Sequence, residues 1–232
     1  MFNLSEEYRS FWSEGKNTIL TKGVNIVPGL LPVKEDKRRG LGLFFWQSKI
    51  KDKTQNILQL LQSEFPDELA IYGLPKSPAQ QHITFLELIA TQPDYESTYQ
   101  HLEPKYLEIA QEVLKQASPI KAEFRGVIAN QDTIVIKGFP INDDYNNIRE
   151  ELRSKIAEVG LPPLKRRKVK IFHTTIARFL KPIKEAEKFV KLIDSLKDVE
   201  IGEDTYQTVH LTRASWLMAK QQVSDLDSIK LR

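Results

Sequence analysis

No cysteine occurs in the 232 residues, which excludes disulfides, zinc–thiolate centres and cysteine nucleophiles. No run approaches 18 consecutive apolar residues, so a membrane-spanning helix is not expected. Glycine-rich loops of the Walker or dinucleotide-binding kind are missing, which leaves ATP- or NAD-dependent chemistry without a basis. Histidine is scarce, with four in the chain, and no third ligand stands at a spacing that would complete a zinc site. Net charge is also small, +3, and argues only weakly for a polyanionic partner. The opening Met1-Phe2-Asn3-Leu4-Ser5-Glu6-Glu7 is acidic and lacks a basic segment followed by an apolar one, so a secretory signal is not expected. These absences lead to an expectation of a cytoplasmic monomer that needs no cofactor or metal and does not touch a membrane.

What is present describes an ordinary globular chain, 41% hydrophobic and 28% charged. Asn3 with Glu6 opens a helix over 3–14, with Leu4, Tyr8, Phe11 and Trp12 as its apolar stripe. Residues 15–40, with four glycines and two prolines, read as a long irregular connection, with room for a short strand at 24–27. Leu41–Trp46 is a strand, and a helix follows from Ser48 to about 64. After a loop over 67–80 comes a strand at about 81–90. A helix over about 94–117 should be kinked or divided by Pro104. Strands 122–129 and 133–139 form a hairpin around Asn130-Gln131-Asp132. A helix capped by Asp143 or Asp144 runs to Val159, a strand covers about 169–179 and a helix about 184–197. Strands near 206–220 and 226–232 close the chain.

Two stretches resemble each other: Gln81-His82-Ile83-Thr84-Phe85 and Phe172-His173-Thr174-Thr175-Ile176-Ala177-Arg178, their histidines 91 residues apart (173 − 82). Alternation along a strand sets His82 and Thr84 on one face, and likewise His173 and Thr175. The surrounding order of strand, helix, His-x-Thr strand and helix also repeats. From threonine to the next helix is 10 residues in one half (84 to 94) and 9 in the other (175 to 184). The pattern implies a duplicated α+β fold: two pseudo-twofold-related lobes, each an antiparallel sheet with helices outside, around one cleft. Residues 1–39 form an N-terminal extension, and the lobes span about 40–130 and 131–232.

With these two motifs the chain resembles the two-histidine (2H) phosphoesterase superfamily, which includes RNA 2',3'-cyclic phosphodiesterases and 2'-5' RNA ligases. The likeness covers about residues 40–232 and is strongest at His173-Thr174-Thr175-Ile176-Ala177-Arg178. It also takes in the opening strand at Leu43-Phe44-Phe45 and the closing strand at Val209–Leu217. It implies a phosphodiesterase acting on an RNA or nucleotide cyclic phosphate, with His82 as acid and His173 as base, and gives Arg178 a phosphate oxygen. The residues suit that chemistry on their own terms. Two imidazoles near neutral pKa can activate water and protonate a leaving ribose oxygen, and the Thr84 and Thr175 hydroxyls can donate to phosphate oxygens. Arg178 has the opposite strand parity to His173 and Thr175, so it reaches the cleft only if the strand bulges or ends there. A structural salt bridge is its other reading.

Several secondary readings accompany this one. Phe45 and Trp46 are candidates for stacking on a base. The basic run Lys165-Arg166-Arg167-Lys168 with Lys170 could steer a phosphate, as could Lys37-Arg38-Arg39. A third tripeptide, His210-Leu211-Thr212, lacks the repeated surround and reads as incidental. His101 reads as a surface residue. The histidine-triad hydrolases are rejected because their several alternating histidines are absent. Two alternatives stay open: a non-catalytic module of this fold that binds a nucleotide or RNA end, and a hydrolase of 2'-5' linked or cyclic signalling oligonucleotides.

Overall fold

A computed structural model of the protein describes residues 3–26, 37–46, 49–71, 81–142, 144–162, 171–215, 218 and 222–232. The chain begins with helix α1, Leu4–Lys22, whose N-cap Asn3 accepts a hydrogen bond from the Glu6 backbone at 3.3 Å. The helix therefore runs eight residues beyond the expected end at 14, straight through Gly15. A Cβ at position 15 would lie 2.2 Å from the Ala129 carbonyl oxygen, so glycine is there to let the helix approach a strand. Gly23, at φ 77°, ends the helix, and residues 23–26 form no strand.

Strand β1 (Arg39–Trp46) leads to α2 (Lys51–Glu64), the short β2 (Leu69–Ile71) and β3 (His82–Gln92). Next come α3 (Tyr95–Thr98), a single 3₁₀ turn and α4 (Glu103–Leu114), with Pro104 in the first turn of α4, so the proline divides the expected helix in two. Strands β4 (Ile120–Ala129) and β5 (Thr133–Pro140) precede α5 (Asp144–Glu158), β6 (Phe172–Phe179) and α6 (Ala186–Leu196). Strands β7 (Glu200–Tyr206), β8 (Thr208–Ala214) and β9 (Val223–Lys230) complete the fold. The sequence reading missed β2, placed in a loop, and β7, an edge strand whose Glu200, Glu203 and Asp204 hide its alternation. Ser48, the basic run 165–168 with Lys170, and most of the 67–80 loop fall outside the described residues.

All nine strands join one antiparallel sheet in the order β7-β4-β5-β6-β3-β1-β8-β9, with β2 added against β6. The halves β9-β8-β1-β3 and β7-β4-β5-β6 are the two lobes, and β3 and β6 are the central pair. A division at residue 130 is therefore wrong, because β4 belongs to the second lobe and β8 and β9 to the first. Turn chemistry is the reason. Asn130 Oδ1 accepts from the Asp132 and Thr133 backbone, 2.8 Å each, closing a turn too short to join anything but neighbouring strands.

Strong curl brings the β7 edge back over β1. Tyr206 stacks on Phe45 with ring centroids 4.6 Å apart, and Phe85, Phe124, Tyr145 and Phe172 complete this aromatic core. Burying each of these rings contributes roughly 2–3 kcal/mol. Phe45, Phe85 and Phe172 each have the opposite parity to the neighbouring histidine or threonine of the motifs. The apolar side of the central strands is thus held inside the curl, and the polar pairs are presented on the other face.

Candidate active site

The central pair of strands meets at a single ladder position, Ile83 opposite Thr174, both fully buried. In an antiparallel register, one step either way sets His82 across from Thr175 and Thr84 across from His173. Each histidine is thereby set on the side of the other motif's threonine, across two strands that pair at that one position. The tertiary fold brings together all four side chains that the sequence singled out, on one face, about a local twofold axis. All four are partly exposed.

Arg178 joins them through a bulge. Ile134 pairs with Ala177 but Val135 with Thr175, so Ile176 is an extra residue and the parity of β6 slips there. Ile176 and Ala177 are consecutively buried, and Arg178 returns to the face of His173. Strand β3 does the same: Leu43 pairs with Leu86 and Phe44 with Thr84, leaving Phe85 extra. Glu87, five residues after His82 as Arg178 is five after His173, therefore stands on the cleft face of the first lobe. The sequence reading missed Glu87; the equal spacing in the two motifs was the signal.

The lobes differ in what flanks each histidine. Phe44 and Trp46 share the face of His82, with centroids 5.3 and 6.3 Å from its ring, both edge-on, and they stack on each other at 17°. Phe45 points the opposite way, fully buried beneath Phe85 and Tyr206, and offers no platform for a base. Neighbouring residues of a strand cannot share a face, so Phe44 and Trp46, not Phe45, stand on the side of His82; Phe44 is itself buried, which leaves Trp46 as the accessible ring. Gly42 makes this possible, since a Cβ there would come within 2.7 Å of the Phe44 ring.

In the second lobe the corresponding residues are Val135 and Lys137, opposite Thr175 and His173. Lys137 lies 3.8 Å from Asp198, and burial lowers its pKa. His173 hydrogen-bonds through its ring to the Ile171 carbonyl, which fixes the ring. Burial pushes its pKa down to about 4, and the cationic Arg178 and Arg149 push the same way. Arg149, itself buried on α5, sits 4.8 Å over the Tyr145 ring. His173 is consequently a neutral imidazole at pH 7. Its strand is anchored by Tyr8 of α1, whose hydroxyl donates to the carbonyl of Phe172 and accepts from the Gly138 backbone at 3.1 Å.

The third tripeptide also reaches this face. Phe44 pairs with His210 on one side and Thr84 on the other, and Gly42 pairs with Thr212. It is therefore part of the cleft wall and not incidental. Its residues are tied to β9: Thr212 donates to Asp225 at 2.6 Å, and His210 Nδ1 lies 3.0 Å from the Ser228 hydroxyl. His101 is exposed on the 3₁₀ turn, as expected. Among the described residues no cluster of three or more potential metal ligands occurs, and no helix is long and apolar enough to cross a membrane.

Solved structures share this arrangement of two antiparallel lobes around a central strand pair. Solved structures with this fold include TT0787 of Thermus thermophilus, 18% identical, with a TM-score of 0.58 over 84% of this chain and 98% of that one. Escherichia coli LigT complexed with 3'-AMP is 13% identical, with a TM-score of 0.55 over the same shares. A third structure, described as a phosphoesterase, is 10% identical with a TM-score of 0.52, again over 84% and 98%. At these identities the likeness is one of fold. No family model matches the sequence, and no curated protein matches it.

Proposed function

We propose that the protein is a phosphodiesterase that opens a 2',3'-cyclic phosphate on an RNA end or nucleotide, using His82 and His173 as the acid–base pair. The observation that carries this reading is the crossed register about Ile83 and Thr174, which sets two imidazoles and two hydroxyls around one point of the sheet. Thr84 and Thr175 donate to the non-bridging oxygens from opposite sides, and Arg178 supplies positive charge from the second lobe. His173, neutral at pH 7, takes a proton from water as the oxygen attacks phosphorus. His82, protonated, gives its proton to the departing ribose oxygen. One P–O bond forms, one breaks, and the product is a monophosphate with a free neighbouring hydroxyl. A base adjoining that phosphate has the Trp46 ring beside it on the His82 face; E. coli LigT, which shares this fold, has been solved with 3'-AMP.

The test is turnover, in EDTA, of an RNA oligonucleotide ending in a 2',3'-cyclic phosphate, beside folded His82→Ala and His173→Ala variants. Hydrolysis is expected from the wild type, with each variant slower by roughly 10²–10⁴-fold. Tight binding without turnover would refute catalysis and favour a nucleotide-binding module.

A further inference from the structure

We propose that Trp46, His210, Asp225 and Ser228 form a nucleobase subsite in the first lobe that selects bases carrying an exocyclic amino group. The inference deepens the reading above and takes from it only the position of the phosphate between His82 and His173.

The geometry begins with the row of paired residues crossing the face. Thr84, Phe44, His210 and Ser228 stand opposite one another on β3, β1, β8 and β9. Thr84 and His210 are thus two strands apart, about 10 Å, with His82 two residues along β3 from Thr84. That is the reach of a nucleoside from its phosphate to the far edge of its base. The ring between them is Trp46, 6.3 Å from His82 and 5.9 Å from His210. A base stacked on that indole would turn its edge toward β8 and β9.

The groups waiting there are acceptors. Asp225 Oδ1 takes the Thr212 hydroxyl, and Oδ2 lies 3.6 Å from His210 Nδ1. Ser228 approaches the same nitrogen. In the tautomer whose Nδ1–H points to the Ser228 hydroxyl and Asp225, a neutral His210 presents the lone pair of Nε2 on its other side, and burial favours the neutral ring. Both neighbours share Nδ1, so this is no Ser–His–Asp nucleophile, in which serine and carboxylate take opposite ring nitrogens. A carboxylate and an imidazole lone pair match the amino donors of cytosine and adenine, and uracil offers a carbonyl at the equivalent place. His210 is partly exposed and Asp225 open to solvent, so both are accessible to a ligand.

Calorimetric titration with 3'-CMP, 3'-AMP and 3'-UMP tests the subsite without requiring turnover. The wild type is expected to bind the first two about tenfold more tightly than 3'-UMP, the worth of one charge-assisted hydrogen bond. Asp225→Asn and His210→Phe, which keep shape and are checked by thermal melting, should each abolish the preference for 3'-CMP and 3'-AMP over 3'-UMP. Equal wild-type affinity for all three, an equal loss of all three in the variants, or no binding would overturn the proposal. Base preference in a protein that leaves cyclic phosphates intact would uphold the subsite and refute the catalytic reading. Hydrolysis with no base preference would do the reverse.

Discussion

Replacing Arg178 with methionine keeps the length of the side chain and removes its charge, and the group that should report the change is His173. Its pKa is depressed from 6.5 to about 4, by burial first and by Arg178 and Arg149 in addition, against the Ile171 carbonyl, which favours the protonated ring. That depression corresponds to about 3 kcal/mol of preference for the neutral form. Without Arg178 the pKa should rise above 4 and stay below 6.5, because burial persists. Between about pH 4 and 6.5 the folded protein binds fewer protons at this site than the unfolded chain does. Stability therefore falls as pH drops through that window, by up to about 3 kcal/mol, and the variant should lose less of it. Histidine ring resonances followed by NMR against pH give the value directly. Four histidines are present, and a His173→Gln spectrum assigns the one in question. A wild-type His173 titrating near 6.5, or one indifferent to the loss of Arg178, would refute both the buried, cation-flanked site and the bulge that places Arg178 there.

Three further substitutions test the placement of groups around the site. Gly15→Ala puts a methyl 2.2 Å from the Ala129 carbonyl oxygen, so α1 must shift by about 1 Å; a loss of roughly 1–3 kcal/mol in urea denaturation is expected, and an unchanged midpoint would refute the close docking. Phe45→Ala should cost about 3–5 kcal/mol of stability, whereas Trp46→Ala should mainly weaken nucleotide binding, with little change in the melting midpoint. Reversal of those two results would invert the assigned strand faces.

The repeat was legible because strand alternation is local. His-x-Thr in a β-favouring run puts both side chains on one face whatever the rest of the chain does, and 91 residues of matching pattern imply two such faces. Most helices and strands were legible for the same reason, their periods being written in nearby residues. Gly15 shows where that logic stops. Read locally it breaks a helix, and only the Ala129 carbonyl beside it shows why glycine stands within one.

Everything that depended on which strands become neighbours was decided by the tertiary structure. The hairpin turn at Asn130 carried β4 into the second lobe, and pairing of β8 with β1 turned His210 from a stray tripeptide into part of the cleft wall. Bulges at Phe85 and Ile176, which exist only relative to a partner strand, brought Glu87 and Arg178 onto the face of the histidines. By itself the sequence determined which residues alternate together, because that follows from backbone geometry within a strand. Register, bulges and the curl that buries Phe45 arise from hydrogen bonding and packing between segments far apart in the chain, and those contacts form only in the folded sheet.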